Sequence, residues 1–317
     1  MSSLTEAAKI LVKTCAAVAP KEEVLILADT AQDQQILNAL TQAAQQAEAK
    51  SKVLQYHKLG PGNELPRELV EALNSVDVVF ACGTEPFSFK HFYDCTAKGV
   101  RVLSMFRITT SSLIRTVPID YQRLAEELNT LSERLSKSKQ VEIRSQIGSN
   151  LTIELAGRTA KSSTGLATQK GQWTSIPAGI VSVAPKEFTS KGRLFIDGTI
   201  IGIGRVLKPI MAVIQRGRLT DLAYDQSYPM FRQRLSIDDS ASILSQVGIG
   251  TNPKAKMIGG SEDERVRGTV YVGFGDNKLF EGNVTSKSHM DATMLKGTLT
   301  VDGKALVEGG HLLTSVD

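Results

Sequence analysis

A His-x-Asp pair, His289 and Asp291, is the strongest candidate for chemistry in the sequence. It lies in the segment 282–310, whose alternating pattern and glycines predict strand rather than helix. Because residues i and i+2 of a strand point to the same face, the imidazole and the carboxylate are expected to converge. Such a pair is a common start for a metal site or for a His–carboxylate acid/base pair. The structural alternative is a strand histidine that a neighbouring carboxylate satisfies.

A metal at this pair would need further ligands, because a protein-only zinc site takes three or four. The other histidines are His57, His91 and His311, and they form no histidine cluster with the pair. The sequence also has no phosphate-binding P-loop, no GxSxG motif and no HExxH motif. If a metal binds, its additional ligands must therefore come from elsewhere in the chain.

Four more side chains are candidates for a site. Trp173, the only tryptophan, belongs to a segment with a proline-glycine turn, Gln246 lies near the start of the glycine-rich SQVGIGTNP, and Tyr271 lies in the predicted strand GTVYVGFGD. Glu85 follows the apolar run DVVFAC. Ligand sites of open parallel sheets usually lie outside the carboxyl ends of the strands, so Glu85 is a candidate, with a surface loop carboxylate as the alternative.

The first part of the chain alternates predicted helices and strands. Short apolar runs typical of buried parallel strands occur at 23–28, 52–59, 77–82 and 99–106, with helical patterns between them. Strands that alternate with helices predict an open, mostly parallel sheet covered on both faces.

Composition changes near Lys139. Of the 26 glycines, four (Gly60, Gly62, Gly83 and Gly99) precede residue 141, which leaves 22 after it. Short alternating segments between glycine-rich turns predict antiparallel sheet, with one helical region at 224–244. We therefore predict the class α/β plus α+β. A mostly parallel α/β domain at 1–140 is followed by a glycine-rich, mainly antiparallel β domain at 141–317 that carries the His-x-Asp motif.

The overall composition excludes several classes of protein. With 41% hydrophobic and 22% charged residues, the chain is typical of a soluble globular protein. The net charge is only +4, and no aromatic residues flank the basic cluster 134–144, so we expect no nucleic-acid partner. No apolar run reaches about 18 residues, so we expect no membrane partner. The start predicts an ordinary helix rather than a signal peptide, and the three cysteines lack CxxC spacing; we expect a cytoplasmic protein.

Several motifs occur in a fixed order that is more specific than any one of them. After the α/β half come IPAG (176–179), GIGTNP (248–253), GTVYVGFGDN (268–277), and SHMD (288–291) followed by VDGK (301–304). This order resembles the thermophilic-type metallo-aminopeptidase family (leucyl aminopeptidase or aminopeptidase T) along nearly the whole chain. It also resembles the relative of that family, 2,5-dihydroxypyridine 5,6-dioxygenase.

The resemblance implies a metal site from which several ligands are missing. The aminopeptidases have Glu where this chain has Ile180, Glu where it has Gln246, and His where it has Tyr271; only His289 and Asp291 are intact. Two dications need more anionic and imidazole ligands than remain, so we expect no two-metal aminopeptidase site.

The dioxygenase pattern fits these losses better. It has an apolar residue at the position of Ile180, and its iron is held by one His at the position of Gln246 together with the final His-x-Asp. The leading hypothesis is a ring-opening, dioxygenase-like enzyme on a small heteroaromatic molecule. One divalent metal (Fe, Zn or Mn) would be bound by His289 and Asp291, with Gln246 as a weak third ligand that also contacts substrate.

In that hypothesis Trp173 forms an apolar wall for the substrate, and Tyr271 or Glu85 handles protons. A second hypothesis is an amide or peptide hydrolase without a metal. In it His289, oriented by Asp291, acts as general base, and Gln246 and Tyr271 stabilise an oxyanion. A third is a non-catalytic binding member of the family. The resemblance also implies a homo-oligomer.

Overall fold

The structure is a computed structural model that describes residues 3–60, 63–223 and 229–313. Within these residues the chain forms seven α-helices: α1 (Leu4–Ile10), α2 (Gln34–Gln46), α3 (Arg67–Leu73), α4 (Lys90–Thr96), α5 (Thr110–Thr116), α6 (Tyr121–Lys137) and α7 (Pro229–Leu235). A π-helical turn continues α1 at Leu11–Cys15, and 3₁₀ turns occupy Asp263–Arg265 and Lys278–Phe280. None of the helices in these three ranges has the length and apolar content that a membrane crossing requires.

The same ranges contain twenty β-strands. They are β1 (Glu23–Asp29), β2 (Lys50–Tyr56), β3 (Val78–Ala81), β4 (Arg101–Ser104), β5 (Gln140–Arg144), β6 (Asn150–Glu154), β7 (Lys161–Ser163), β8 (Trp173–Ser175), β9 (Ile180–Val183), β10 (Lys191–Ile196), β11 (Thr199–Ile200), β12 (Gly204–Arg205), β13 (Ile210–Gln215), β14 (Arg218–Ala223), β15 (Leu244–Gly250), β16 (Val270–Gly275), β17 (His289–Met294), β18 (Thr298–Val301), β19 (Lys304–Glu308) and β20 (His311–Leu312).

The chain divides into two compact units. The first combines Met1–Gln122 with Ser163–Ala178, and the second combines Arg123–Ser162 with Gly179–Asp317. The boundary near Lys139 stays a prediction from composition.

The first unit contains a five-stranded sheet in the order β2-β1-β3-β4-β8, and all four strand pairs are parallel. The predicted parallel α/β sheet is therefore confirmed, and each of the four predicted strands overlaps one of β1 to β4. The fifth strand, β8, comes from the segment after residue 140, where we predicted mainly antiparallel sheet. With three residues, β8 is too short to show an apolar run of its own.

The core of the first unit is rich in aromatic rings. Phe87 lies edge-on to Phe106 at a centroid distance of 5.1 Å and to Phe92 at 5.2 Å. The cluster also takes in the apolar side chains of β1, β3 and β4, and the partly buried Trp173 packs against it. Burial of these runs on the sheet explains why nearly continuous apolar segments form its inner strands.

The second unit contains antiparallel sheets, as predicted. One has the order β14-β13-β10-β6-β5-β18-β19-β20 and the other β12-β11-β17-β16-β15-β9-β7. Neighbouring strands from β12 to β9 pair antiparallel in the second of these sheets, which carries the candidate site. Of the helical region predicted at 224–244, residues 229–235 form α7, and residues 224–228 lie outside the described ranges.

Asp29, at the carboxyl end of β1, is expected to be the most sensitive polar residue of the first unit. It is fully buried, and its carboxylate accepts hydrogen bonds from the backbone N–H groups of Ala31 and Thr84 and from the Thr84 hydroxyl. Asp29→Ala should lower the free energy of unfolding by about 3 kcal/mol, because it leaves backbone donors without an acceptor.

Chemical denaturation measures this change. Thr84→Val is the matched control, because it removes one hydroxyl and leaves both backbone donors paired; it should cost about 1 kcal/mol. Equal losses in the two variants would contradict the role given to the carboxylate.

Candidate functional site

Three neighbouring strands of the second unit position the candidate site. β15 and β17 flank β16, and Gly273 on β16 lies opposite both Gln246 on β15 and Asp291 on β17. Residues in such a row project from the same face of a sheet, so the side chains of Gln246 and Asp291 face each other across Gly273. The predicted strand for His289 and Asp291 is confirmed, since both belong to β17.

Gly273 provides the space in which these side chains meet. A Cβ atom at this position would lie 2.6 Å from Cγ of Gln246, 2.7 Å from Oδ1 of Asp291 and 2.7 Å from Oγ of Ser245. No other residue type fits there without moving its neighbours. Because Gly273 has no side chain, the side chains of β15 and β17 can contact each other across β16.

Gln246, His289 and Asp291 form a closed triangle. Nε2 of Gln246 donates to Oδ1 of Asp291 at 2.6 Å and lies 3.2 Å from Nε2 of His289. Nε2 of His289 in turn lies 3.3 Å from Oδ2 of Asp291. The side chains of His289 and Asp291 are 20% and 12% exposed, whereas Gln246 is only 2% exposed. Solvent thus reaches the histidine and the carboxylate, and the amide closes the buried side.

The backbone determines which ring nitrogen of His289 carries the proton. Nδ1 lies 2.7 Å from the carbonyl oxygen of Asp276, which can only accept, so Nδ1 is the donor. In the neutral ring, Nε2 then presents its lone pair to Gln246 and Asp291. Burial alone would lower the pKa of His289, but the Asp291 carboxylate and the Asp276 carbonyl outweigh burial and raise this pKa above its usual value. Phe280 stacks on the ring at a centroid distance of 5.8 Å.

Tyr271 lies in the same sheet and is fully buried. Its ring crosses Gly248 on β15, where an added Cβ would lie 2.3 Å from Cζ of the tyrosine. Burial and, to a smaller extent, the charge of Asp291 raise the pKa of Tyr271 well above its usual value, against the opposing influence of Ser182 and Arg265. The phenol therefore keeps its proton at neutral pH and can act as a hydrogen-bond donor but not as a base.

Arg265 is a charged residue near the site that the sequence reasoning missed. It lies in the connection between β15 and β16, is 7% exposed, and pairs with Glu264. Burial lowers the pKa of Arg265 to about 10, although the neighbouring Tyr271, Asp291 and Glu262 counteract this. The run of charges at 262–265 ordinarily indicates a solvated loop, and only the fold shows that these residues are buried.

The predicted site residues are divided between the two units. The structure brings together His289, Asp291, Gln246 and Tyr271 in the second unit. Glu85 belongs to the first unit, where it forms a largely buried ion pair with Arg107 at 2.5 Å. Trp173, in β8, belongs to the first unit as well. The roles of Glu85 as a proton carrier and of Trp173 as a substrate wall stay predictions.

The donor atoms of the triangle decide whether it can hold a metal. The described residues contain no group of three or more His, Cys, Asp or Glu side chains that could hold a metal. Two donors at bond lengths of about 2.1 Å and a right angle are about 3 Å apart, which is close to the 3.2 and 3.3 Å edges that meet at His289 Nε2. Oε1 of Gln246 is buried without a hydrogen-bond partner, and a turn of the amide would exchange it with Nε2. One histidine, one carboxylate and one amide oxygen thus fit a single divalent ion.

Comparison with known proteins gives one family. The family described as 2,5-dihydroxypyridine 5,6-dioxygenase (NicX) matches residues 3–314 of the chain. A search of curated proteins gives no significant match.

Two solved structures share the fold over nearly their whole length. The 2,5-dihydroxypyridine dioxygenase from Pseudomonas putida KT2440 has a TM-score of 0.84 at 19% identity, covering 99% of this chain and 97% of that one. AmpT from Thermus thermophilus has a TM-score of 0.72 at 14% identity, covering 98% of both chains. At these identities the likeness shows the fold alone.

Proposed function

As the chain belongs to the 2,5-dihydroxypyridine 5,6-dioxygenase family, we propose that it opens the ring of a small, hydroxylated heteroaromatic substrate with dioxygen. The observation that carries the proposal is the orientation of His289: its Nδ1–H is bound by the Asp276 carbonyl, so that Nε2 faces Asp291. A metal-binding histidine typically has its second nitrogen held in this way.

His289 Nε2, an oxygen of Asp291 and Oε1 of Gln246 are the atoms that would hold the metal. A divalent ion there, with iron favoured over zinc or manganese, would supply open coordination positions and Lewis-acid activation of substrate and dioxygen. Both atoms of dioxygen enter the product at the carbon–carbon bond that breaks, so the overall reaction needs no external reductant.

The chain's own residues orient and balance charge around this position. The Asp276 carbonyl keeps the imidazole of His289 in one tautomer. Tyr271, buried against Gly248, remains a neutral phenol. The buried guanidinium of Arg265 interacts with the charge of Asp291, and it would favour an anionic hydroxypyridine over a neutral one.

Calorimetric titration of metal-free protein with Fe²⁺ under anaerobic conditions is the first test. We expect one ion per chain in the wild type and at least about tenfold weaker binding in Asp291→Ala, because one of two strong donors is lost. Oxygen uptake with dihydroxypyridines is then expected only from iron-loaded wild type. Protein that binds none of Fe²⁺, Mn²⁺ and Zn²⁺ would exclude the proposal.

A second candidate function is hydrolysis of an amide without a metal. It is favoured by the closed hydrogen-bonded triangle, in which Nε2 of His289 is available as a base beside Asp291, and by the fold shared with aminopeptidase T. Release of amine from peptide or amide substrates that persists in excess chelator would support it. A protein that binds hydroxypyridines but turns over neither substrate class would support the non-catalytic alternative.

A further inference from the structure

The amide of Gln246 presents its nitrogen, not its oxygen, to His289 and Asp291. Its Nε2 contacts Asp291 Oδ1 at 2.6 Å and His289 Nε2 at 3.2 Å, so its two N–H groups satisfy both acceptors. Its Oε1 is buried and has no hydrogen-bond partner. An unpartnered buried carbonyl oxygen costs free energy, which indicates that this orientation is maintained by the two contacts of Nε2.

With a neutral His289, the opposite orientation of the amide requires a metal ion. With Oε1 in the place of Nε2, two acceptor oxygens would face each other across 2.6 Å, and the lone pair of His289 would lose its donor. A metal ion among the three acceptors removes this repulsion, because each acceptor becomes a ligand. The two orientations of one side chain therefore correspond to the empty and the loaded site.

We propose that Gln246 is an orientation switch that makes metal binding weak and reversible, with a preference for ions that accept oxygen ligands, such as Mn²⁺ and Fe²⁺. The inference rests on the proposed metal-dependent function. Loading breaks the two contacts of Nε2, and this cost is subtracted from the affinity of the ion. Only one of the three donors is an imidazole, and oxygen donors suit Mn²⁺ better than they suit Zn²⁺ or Cu²⁺.

Gln246→Glu removes the N–H donors on which the switch depends while keeping the size of the side chain. Glutamate has the same size but offers only acceptors when ionised, so the empty site loses its hydrogen bonds and places two carboxylates side by side. The metal relieves that repulsion and meets a charged ligand. We expect Mn²⁺ to bind about tenfold or more tightly to the variant than to the wild type, with a lower melting temperature of the metal-free variant.

Gln215→Glu is the matched control. Gln215 is exposed at the end of β13. Its replacement by glutamate changes the net charge by the same amount but away from the triangle. Its Mn²⁺ affinity and melting temperature should equal those of the wild type. An increase of affinity in this control would mean that overall charge, not the switch, determines binding.

The NMR signal of the Gln246 side-chain NH₂ group reports the orientation of the amide directly. In protein labelled with ¹⁵N-glutamine, the side-chain signal that Gln246→Glu removes belongs to Gln246. Addition of Zn²⁺, which is diamagnetic, should shift that NH₂ signal and increase its exchange with solvent, because the group leaves the triangle. Metal binding without any change in this signal, or equal affinities of wild type and Gln246→Glu, would overturn the switch while leaving the proposed function intact. Absence of metal binding in both proteins would overturn the proposed function itself.

Discussion

Replacing His289 with alanine is expected to lower turnover by about 10²- to 10⁴-fold, the largest loss of activity for any single change in the chain. His289 contributes a metal ligand in the first proposed mechanism and the general base in the second, so both require its Nε2. The fold should persist, because the side chain is 20% exposed and its Nδ1 makes a single hydrogen bond to backbone. We expect a change of at most about 1 kcal/mol in the free energy of unfolding.

His311→Ala is the matched control for this variant. His311 is also a strand histidine of the second unit, but it is exposed at the edge strand β20 and should leave both turnover and stability unchanged. Metal affinity of His289→Ala distinguishes the mechanisms. A parallel loss of iron binding and activity supports the ligand role, and loss of chelator-resistant activity alone supports the base. Turnover close to that of the wild type would assign the reaction to other residues.

The sequence predicted the convergence of His289 and Asp291 because that convergence is local. Two residues on one strand share a face whatever the rest of the chain does. The participation of Gln246 depends on the register of β15 against β16, and of β16 against β17, and register is a property of the folded sheet. The sequence made Gln246 a candidate through its glycine-rich segment and through the resemblance, but its Nε2 contacts with both partners depend on that register and could not have been inferred.

Burial determined the other differences between prediction and structure. Tyr271 was predicted from its position in a strand, but the sequence does not show that its ring lies across Gly248 and out of solvent. Arg265 was missed because charged residues are seldom buried, and its burial results from the packing of the loop between β15 and β16. Apolar runs predicted β1 to β4 correctly, whereas the three-residue β8 has no such signal.

Gly273→Ala is expected to be the second most damaging change, although it adds only a methyl group. The new Cβ would lie 2.6 Å from Cγ of Gln246 and 2.7 Å from Oδ1 of Asp291, so these side chains must move apart. A displacement of about 1 Å at a reacting centre lowers turnover by about 100-fold, and overpacking of a buried position costs about 1–3 kcal/mol. Turnover and denaturation are measured on the same preparation.

Gly260→Ala is the control, because its added Cβ would meet only Ile258 at 3.8 Å, an ordinary contact, and should change stability by less than about 0.5 kcal/mol. The Gly273→Ala variant also probes the triangle without removing any of its polar atoms. If its side chains are forced apart, metal affinity and turnover fall together although all three donors remain. Wild-type metal affinity in a stable Gly273→Ala protein would show that the approach of Gln246 to Asp291 is unimportant for binding. The site would then consist of His289 and Asp291 alone.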